Sequence, residues 1–186
     1  HNHAAHAHSA QPRPYLMMFF HTPPKHLKLT SPATLIATFF GAGLLKPASG
    51  TWGSLAALYP GFLIGHHFGA YGLLAAAALA YGLGHWASSQ WISGSANKDP
   101  SPIVIDEVVG MWLTLVVISH PINTDLLTLN ETLLGFALFR FFDIVKPWPV
   151  SWADKSLRGA HGIMIDDVLA GLIAGLLLFI LNFNFH

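Results

Sequence analysis

Gly162–Leu181 reads GIMIDDVLAGLIAGLLLFIL, and Ile103–Val117 reads IVIDEVVGMWLTLVV. Each is an apolar run whose leading end carries two adjacent carboxylates, Asp166-Asp167 and Asp106-Glu107. A helix rises about 1.5 Å per residue and the hydrocarbon core of a bilayer is about 30 Å thick, so the first run is long enough to span it. An ionised side chain is costly to hold at such a depth, and a chain that keeps four of them there has a use for them. Acidic pairs on separate helices can converge on a divalent cation. A cation beside lipid suggests chemistry on a phosphorylated head group.

The rest of the 186-residue chain fits a membrane setting. It is 53% hydrophobic and 10% charged, with a mean hydropathy of +0.50. Soluble domains carry roughly 25% charged residues, so this chain has too few to cover a water-facing surface. Formal net charge is zero and no basic block points to nucleic acid. The absence of cysteine excludes disulfides, thiolate metal sites and a cysteine nucleophile. Residues 1–30 open with HNHAAHAHSAQPRP and read as a disordered tail. YLMMFF is too short for the apolar region of a cleavable signal peptide. Residues 31–186 form one membrane domain.

Further apolar stretches lie near 33–45, 54–65, 68–86 and 131–145. The expected fold is all-α: a polytopic membrane helix bundle of about four spanning helices, plus a re-entrant or interfacial N-terminal helix over 33–45. Pro60-Gly61 predicts a broken or tilted helix at 54–65. Lys46, Lys98, Lys146, Lys155 and Arg158 fall in the connections 46–53, 87–102 and 146–161, whereas those around His66-His67 and SHPINTDLLTLN have no Lys or Arg. The positive-inside rule puts the first three on the cytoplasmic side. Asp106, Glu107, Arg140, Asp143, Lys146, Asp166 and Asp167 then collect in one layer at that face.

Adjacent helical residues point about 100° apart, so Asp106 and Glu107 are not expected to aim equally at one point. One would ligate a cation and the other orient a ligand, water or basic partner; Asp166 and Asp167 follow the same logic. Helix-start capping is the structural alternative for each pair. Hard oxygen donors suit Mg²⁺, which binds through a few carboxylates and substrate phosphate. Arg140, Asp143 and Lys146 roughly share a face in FRFFDIVKP, either as a salt-bridged ladder or with Asp143 on the metal and a cation on phosphate. LKPASGTWGSL sets Gly50, Thr51, Gly53 and Ser54 before an apolar helix, where backbone N–H groups can hold an anion, with Lys46 adding charge. Asp99 reads as solvated. His85, His120 and His161 read as packing residues, and Trp148 and Trp152 as interfacial anchors.

Three segments, GLLKPASGTWGSLAAL, IVIDEVVGMWLTL and LFRFFDIVKPWPVSWADKSLRGAHGIMIDDVLAG, resemble the phosphatidylglycerophosphatase A family of bacterial inner-membrane lipid phosphatases. The resemblance runs from about residue 33 to 180. It implies Mg²⁺-dependent hydrolysis of phosphatidylglycerophosphate to phosphatidylglycerol and phosphate, on the route to cardiolipin. Its motifs carry onto Gly50, Thr51, Gly53, Ser54, Asp106, Glu107, Gly110, Arg140, Asp143, Lys146, Pro147, Asp166 and Asp167. The chain departs from the family at Ser49, where proline is usual, and in Gly159-Ala160-His161-Gly162, where a glycine pair is usual. On the residues alone, a cation transporter using the same carboxylates is the alternative; it would need them near the midplane with access to both faces. DxDxT, the histidine-phosphatase pattern and DGxxAR are all missing.

Overall fold

The computed structural model describes residues 16–93, 100–119 and 128–185. The His-rich segment 1–15, Lys98, Asp99, His120 and Asp125 lie outside them. The described residues are all-helical apart from one isolated bridge between Phe20 and Leu45. The helices are α1 Leu16–Phe19, α2 Pro32–Ala37, a 3₁₀ turn Ala42–Leu44, α3 Ser49–Ile92, α4 Ile105–Ile118, α5 Leu129–Val145, α6 Val150–Ser156 and α7 Gly159–Phe185.

α3 joins two helical arms. It runs through Pro60 without ending and breaks instead at Gly69, whose φ of 61° and ψ of −160° are non-helical. Proline removes one backbone donor but leaves φ helical, whereas this left-handed φ is open to glycine at little cost. A Cβ on Gly53 would sit 2.5 Å from Val104, and one on Gly84 would sit 2.9 Å from Ile105. A straight helix would put Gly53 and Gly84 about 46 Å apart. The chain therefore reverses at Gly69, and both arms pack on α4.

α4 and α7 lie side by side and run the same way. Thr114 Oγ1 donates to the carbonyls of Gly110 and Gly171, at 3.0 and 3.1 Å, and Gly175 faces Thr114 and Val117. α5 runs opposite: Phe139 meets Gly110 and Gly135 meets Thr114. A capping box between Thr128 and Glu131 fixes its start, and Lys146, left-handed at φ 47°, ends it. Among the described residues the bundle thus contains five helical segments of alternating direction, because the two arms of α3 run opposite ways.

The stretch 33–45 is not one helix. α2 covers about 9 Å and stops because Thr38 bonds back to Thr34 O and turns its hydroxyl to the Gly41 N–H. Phe39, Phe40 and Gly41 are then all left-handed. His21 N donates to Leu44 O and Lys46 N to Phe19 O, so residues 21–44 leave and return at one level. Residues 16–30, assigned by sequence to the tail, include these contacts and a bond between His26 Nε2 and Gln90 O.

Many inward positions of α3 are small, and many large apolar side chains of the bundle face outward. The buried positions of α3 include Gly53, Ser54, Ala57, Gly61, Gly65, Ala77, Ala80 and Gly84, while Tyr59, Phe68, Tyr71, Leu79, Leu176 and Ile180 are exposed. Close packing over small residues with an apolar exterior suits a lipid solvent. Among the described residues, Ser49–Ile92 and Gly159–Leu181 are long and apolar enough to cross a membrane.

Gly171 is among the tightest joints. A Cβ there would overlap the Gly110 carbonyl, which is backbone and cannot swing aside. Gly171→Leu is expected to cost about 1–3 kcal/mol or more and to lower the Tm in detergent. Gly82→Leu, with nothing within 4 Å of its Cβ position, should leave the Tm unchanged.

Candidate active site

The starts of α3, α4 and α7, the end of α5, and α6 meet at one end of the bundle. They enclose a cavity of about 600 Å³. Asp106, Glu107, Asp143, Asp166 and Asp167 all line it, as do Gly50, Arg140 and Lys146. Residues from three separate apolar helices are thus brought to one point.

Asp106, Glu107 and Asp167 each offer an oxygen within 4.8 Å of the other two. Asp106 and Glu107 therefore both offer an oxygen to one point although their side chains leave the helix in different directions. They sit in the first turn of α4, where backbone N–H groups are still free. Asp106 Oδ1 accepts from the Glu107 N–H at 3.1 Å, which turns that carboxylate along the chain toward its neighbour.

The other two carboxylates are ion-paired. Asp143 accepts from Arg140 Nη1 at 2.5 Å, and Asp166 accepts from Lys146 Nζ at 2.7 Å. Lys146 also pairs with Asp154. Burial pulls the Lys146 ammonium down, but its hydrogen bonds to Asp154 and Asp166 outweigh that and hold it well above the ordinary lysine value. Its folded pKa is raised, so its stabilisation is complete below the unfolded value of about 10.4 and is lost as pH climbs from there through the folded one. It stays cationic throughout the neutral range.

The donor set fits a hard divalent cation. Glu107 Oε2, Asp166 Oδ1 and Asp167 Oδ2 are buried without a hydrogen-bond partner. Orphaned carboxylate oxygens at such a site are strongly unfavourable unless a cation meets them. Five carboxylates against Arg140 and Lys146 leave the floor of the cavity negative. Oxygen-only donors suit Mg²⁺.

The glycine-rich segment divides. Ala48, Ser49 and Gly50 line the cavity, and α3 starts there with no side-chain cap, so its first N–H groups can meet an anion. A Cβ on Gly50 would overlap Glu107 Oε1 and come within 3.2 Å of Arg140. Thr51, Gly53 and Ser54 are not among the lining residues. Gly53 packs on Val104. Ser54 is buried, bonds to Gly50 O and meets Arg140 Nη1 at 3.5 Å, so it steadies that guanidinium from behind. Lys46 does not line the cavity either. The Phe19–Lys46 backbone pairing turns it toward His21, whose imidazole is pushed down by burial and by the Lys46 charge.

Asp154, Lys155 and Arg158 line the cavity and were not candidates from sequence. In WADKSLRG they look like solvated loop charges. The signal available was their place between FRFFDIVKP and GIMIDD, the two segments richest in candidates.

Residues 35–182 match the family described as phosphatidylglycerophosphatase A. The chain is similar to the phosphatidylglycerophosphatase A of Haemophilus influenzae, 38% identical over 87% of this chain and 95% of that one. It is similar also to the phosphatidylglycerophosphatase A of Escherichia coli, 38% identical over 83% and 86%. A Bacteroides thetaiotaomicron protein, provisionally named a phosphatidylinositol-3-phosphatase, is 37% identical over 77% and 89%. No solved structure matches the chain. With the family matched along most of its length, the chain belongs to the phosphatidylglycerophosphatase A family, whose members are phosphoric monoester hydrolases.

Proposed function

We propose that the protein hydrolyses phosphatidylglycerophosphate to phosphatidylglycerol and phosphate, with Mg²⁺, at the cytoplasmic face of a bacterial inner membrane. The observation that carries this is the gathering of carboxylates from α4, α5 and α7 with Arg140 and Lys146 around one cavity. Lys46, Lys146, Lys155 and Arg158 at the cavity end of the bundle support a cytoplasmic site by the positive-inside rule. The two acyl chains stay in the bilayer and the head group enters sideways.

Asp106, Glu107 and Asp167 are the residues that would hold the cation, with Asp166 nearby. When bound, Mg²⁺ supplies positive charge against the phosphoryl oxygens. Arg140, whose Nε is buried without a partner, and the N–H groups at the start of α3 offset charge on the same oxygens. Asp143, in close electrostatic contact with Asp167, takes a proton from the attacking water. The water oxygen forms a bond to phosphorus, the P–O bond to the glycerol breaks, and the glycerol oxygen leaves as an alcohol on receiving the proton that Asp143 took up. The missing DxDxT motif favours water attack over a covalent aspartyl phosphate.

Phosphate release from phosphatidylglycerophosphate by detergent-solubilised protein tests the assignment. Activity is expected with Mg²⁺, lost with a chelator and restored by adding the ion back. Cation flux in liposomes without phosphate release would instead favour a carrier, whose carboxylates should lie at mid-depth rather than at one end.

A further inference from the structure

The cavity has two electrostatic zones. Its floor is rich in carboxylates, and its only cations, Arg140 and Lys146, are already paired with Asp143, Asp154 and Asp166. At its mouth stand Lys155 and Arg158, which also line the space. Both are exposed, and neither forms a salt bridge among the described residues. The phosphatase chemistry above uses neither of them.

Their position is fixed by α6. This seven-residue helix buries Val150 and Ala153 in the bundle and exposes Trp152, at 54%, while Trp148 just before it is 81% exposed. Exposed tryptophans beside an apolar bundle settle at the head-group level of a bilayer. Lys155 lies in the last turn of α6, and Arg158 in the short link to α7. The two cations therefore stand where lipid phosphates lie, facing into the cavity rather than along the membrane alone.

We infer that Lys155 and Arg158 form a second anion subsite that binds the phosphodiester of a lipid whose phosphomonoester occupies the floor. This rests on the phosphatase reading and specifies its substrate class: a head group carrying both a terminal monoester and an inner diester. A volume of about 600 Å³ admits the whole of such a head group. A guanidinium and an ammonium at the mouth hold the diester, and the reacting phosphate is thereby set at the depth of the carboxylates. Contacts to a non-reacting phosphate act equally in ground and transition states, so their loss raises KM more than it lowers kcat.

The test is competitive inhibition of phosphatidylglycerophosphate hydrolysis in zwitterionic detergent. One inhibitor is short-chain phosphatidylglycerol, which carries only the diester; the other is inorganic phosphate. In a K155A/R158A double variant the inhibition constant for phosphatidylglycerol should rise about ten- to hundredfold, as expected for lost charge-assisted hydrogen bonds. The constant for inorganic phosphate should stay put, KM should rise, and a K155R/R158K variant should recover. Three results would overturn the subsite: no competitive inhibition of the parent protein by phosphatidylglycerol, an equal loss for both inhibitors, or unchanged constants with an altered response only to anionic lipid in the micelle. The last would assign the pair to bulk head groups. A parent protein inactive on phosphatidylglycerophosphate would instead remove the phosphatase reading itself, and the subsite with it.

Discussion

Asp167→Asn is expected to lower phosphate release about a thousandfold while leaving the bundle folded. Asp167 is 4% exposed, carries an orphaned oxygen and shares its site with Asp106 and Glu107. The amide keeps the shape and removes the charge. In a protein without its cation this relieves repulsion among crowded carboxylates, so the Tm should hold or rise. A residue kept for folding would behave the other way, with a lower Tm and preserved turnover. Phosphate release and thermal unfolding on the same preparation separate the two. Such stability gained at the expense of activity is common where a site is held under strain.

Gly50→Ala is the second large effect. The added methyl meets the tip of Glu107 and lies 3.2–3.3 Å from the two terminal nitrogens of Arg140. Side-chain tips can move, so the fold should survive. Moving them carries Glu107 away from its companions and shifts Arg140. A displacement of about 1 Å in a positioned group can cost a hundredfold in rate, and a loss of ten- to hundredfold is expected here. Gly53→Ala, three residues on, meets the Val104 Cβ at 2.5 Å. That contact lies between helices, so Gly53→Ala should lower the Tm and spare the rate of the protein that remains folded. The pair therefore predicts a crossover, readable from kcat and Tm together.

Much of this site was legible in the sequence because it contradicts its surroundings. Carboxylates inside apolar runs stand out, and helix direction carries Asp106, Asp143 and Asp167 to one end once the passes alternate. Ion pairing was less legible. The i,i+3 spacing of Arg140 and Asp143 on α5 did offer that pair, but that Lys146 reaches Asp154 and Asp166 depends on side-chain directions between elements, which spacing along one helix does not give. Lys46 was read from nearness in sequence to Gly50, but Pro47, Ala48, Ser49 and Gly50 line the cavity and Lys46 does not. Asp154, Lys155 and Arg158 were missed for the opposite reason, since charges in a polar connection carry no mark of depth. The reversal at Gly69 was legible as the uncharged connection around His66-His67, whereas Pro60 suggested a break where the helix in fact continues.

The central claim is that side chains from α4 and α7 hold one divalent cation in common. Electron paramagnetic resonance of Mn²⁺, titrated into detergent-solubilised protein with Mg²⁺ as competitor, tests it without reference to turnover. The parent protein should bind Mn²⁺ in a manner reversed by Mg²⁺, and Asp106→Asn and Asp167→Asn should each weaken that binding although they alter different helices. Equal Mn²⁺ affinity in the parent and both variants would contradict a shared site.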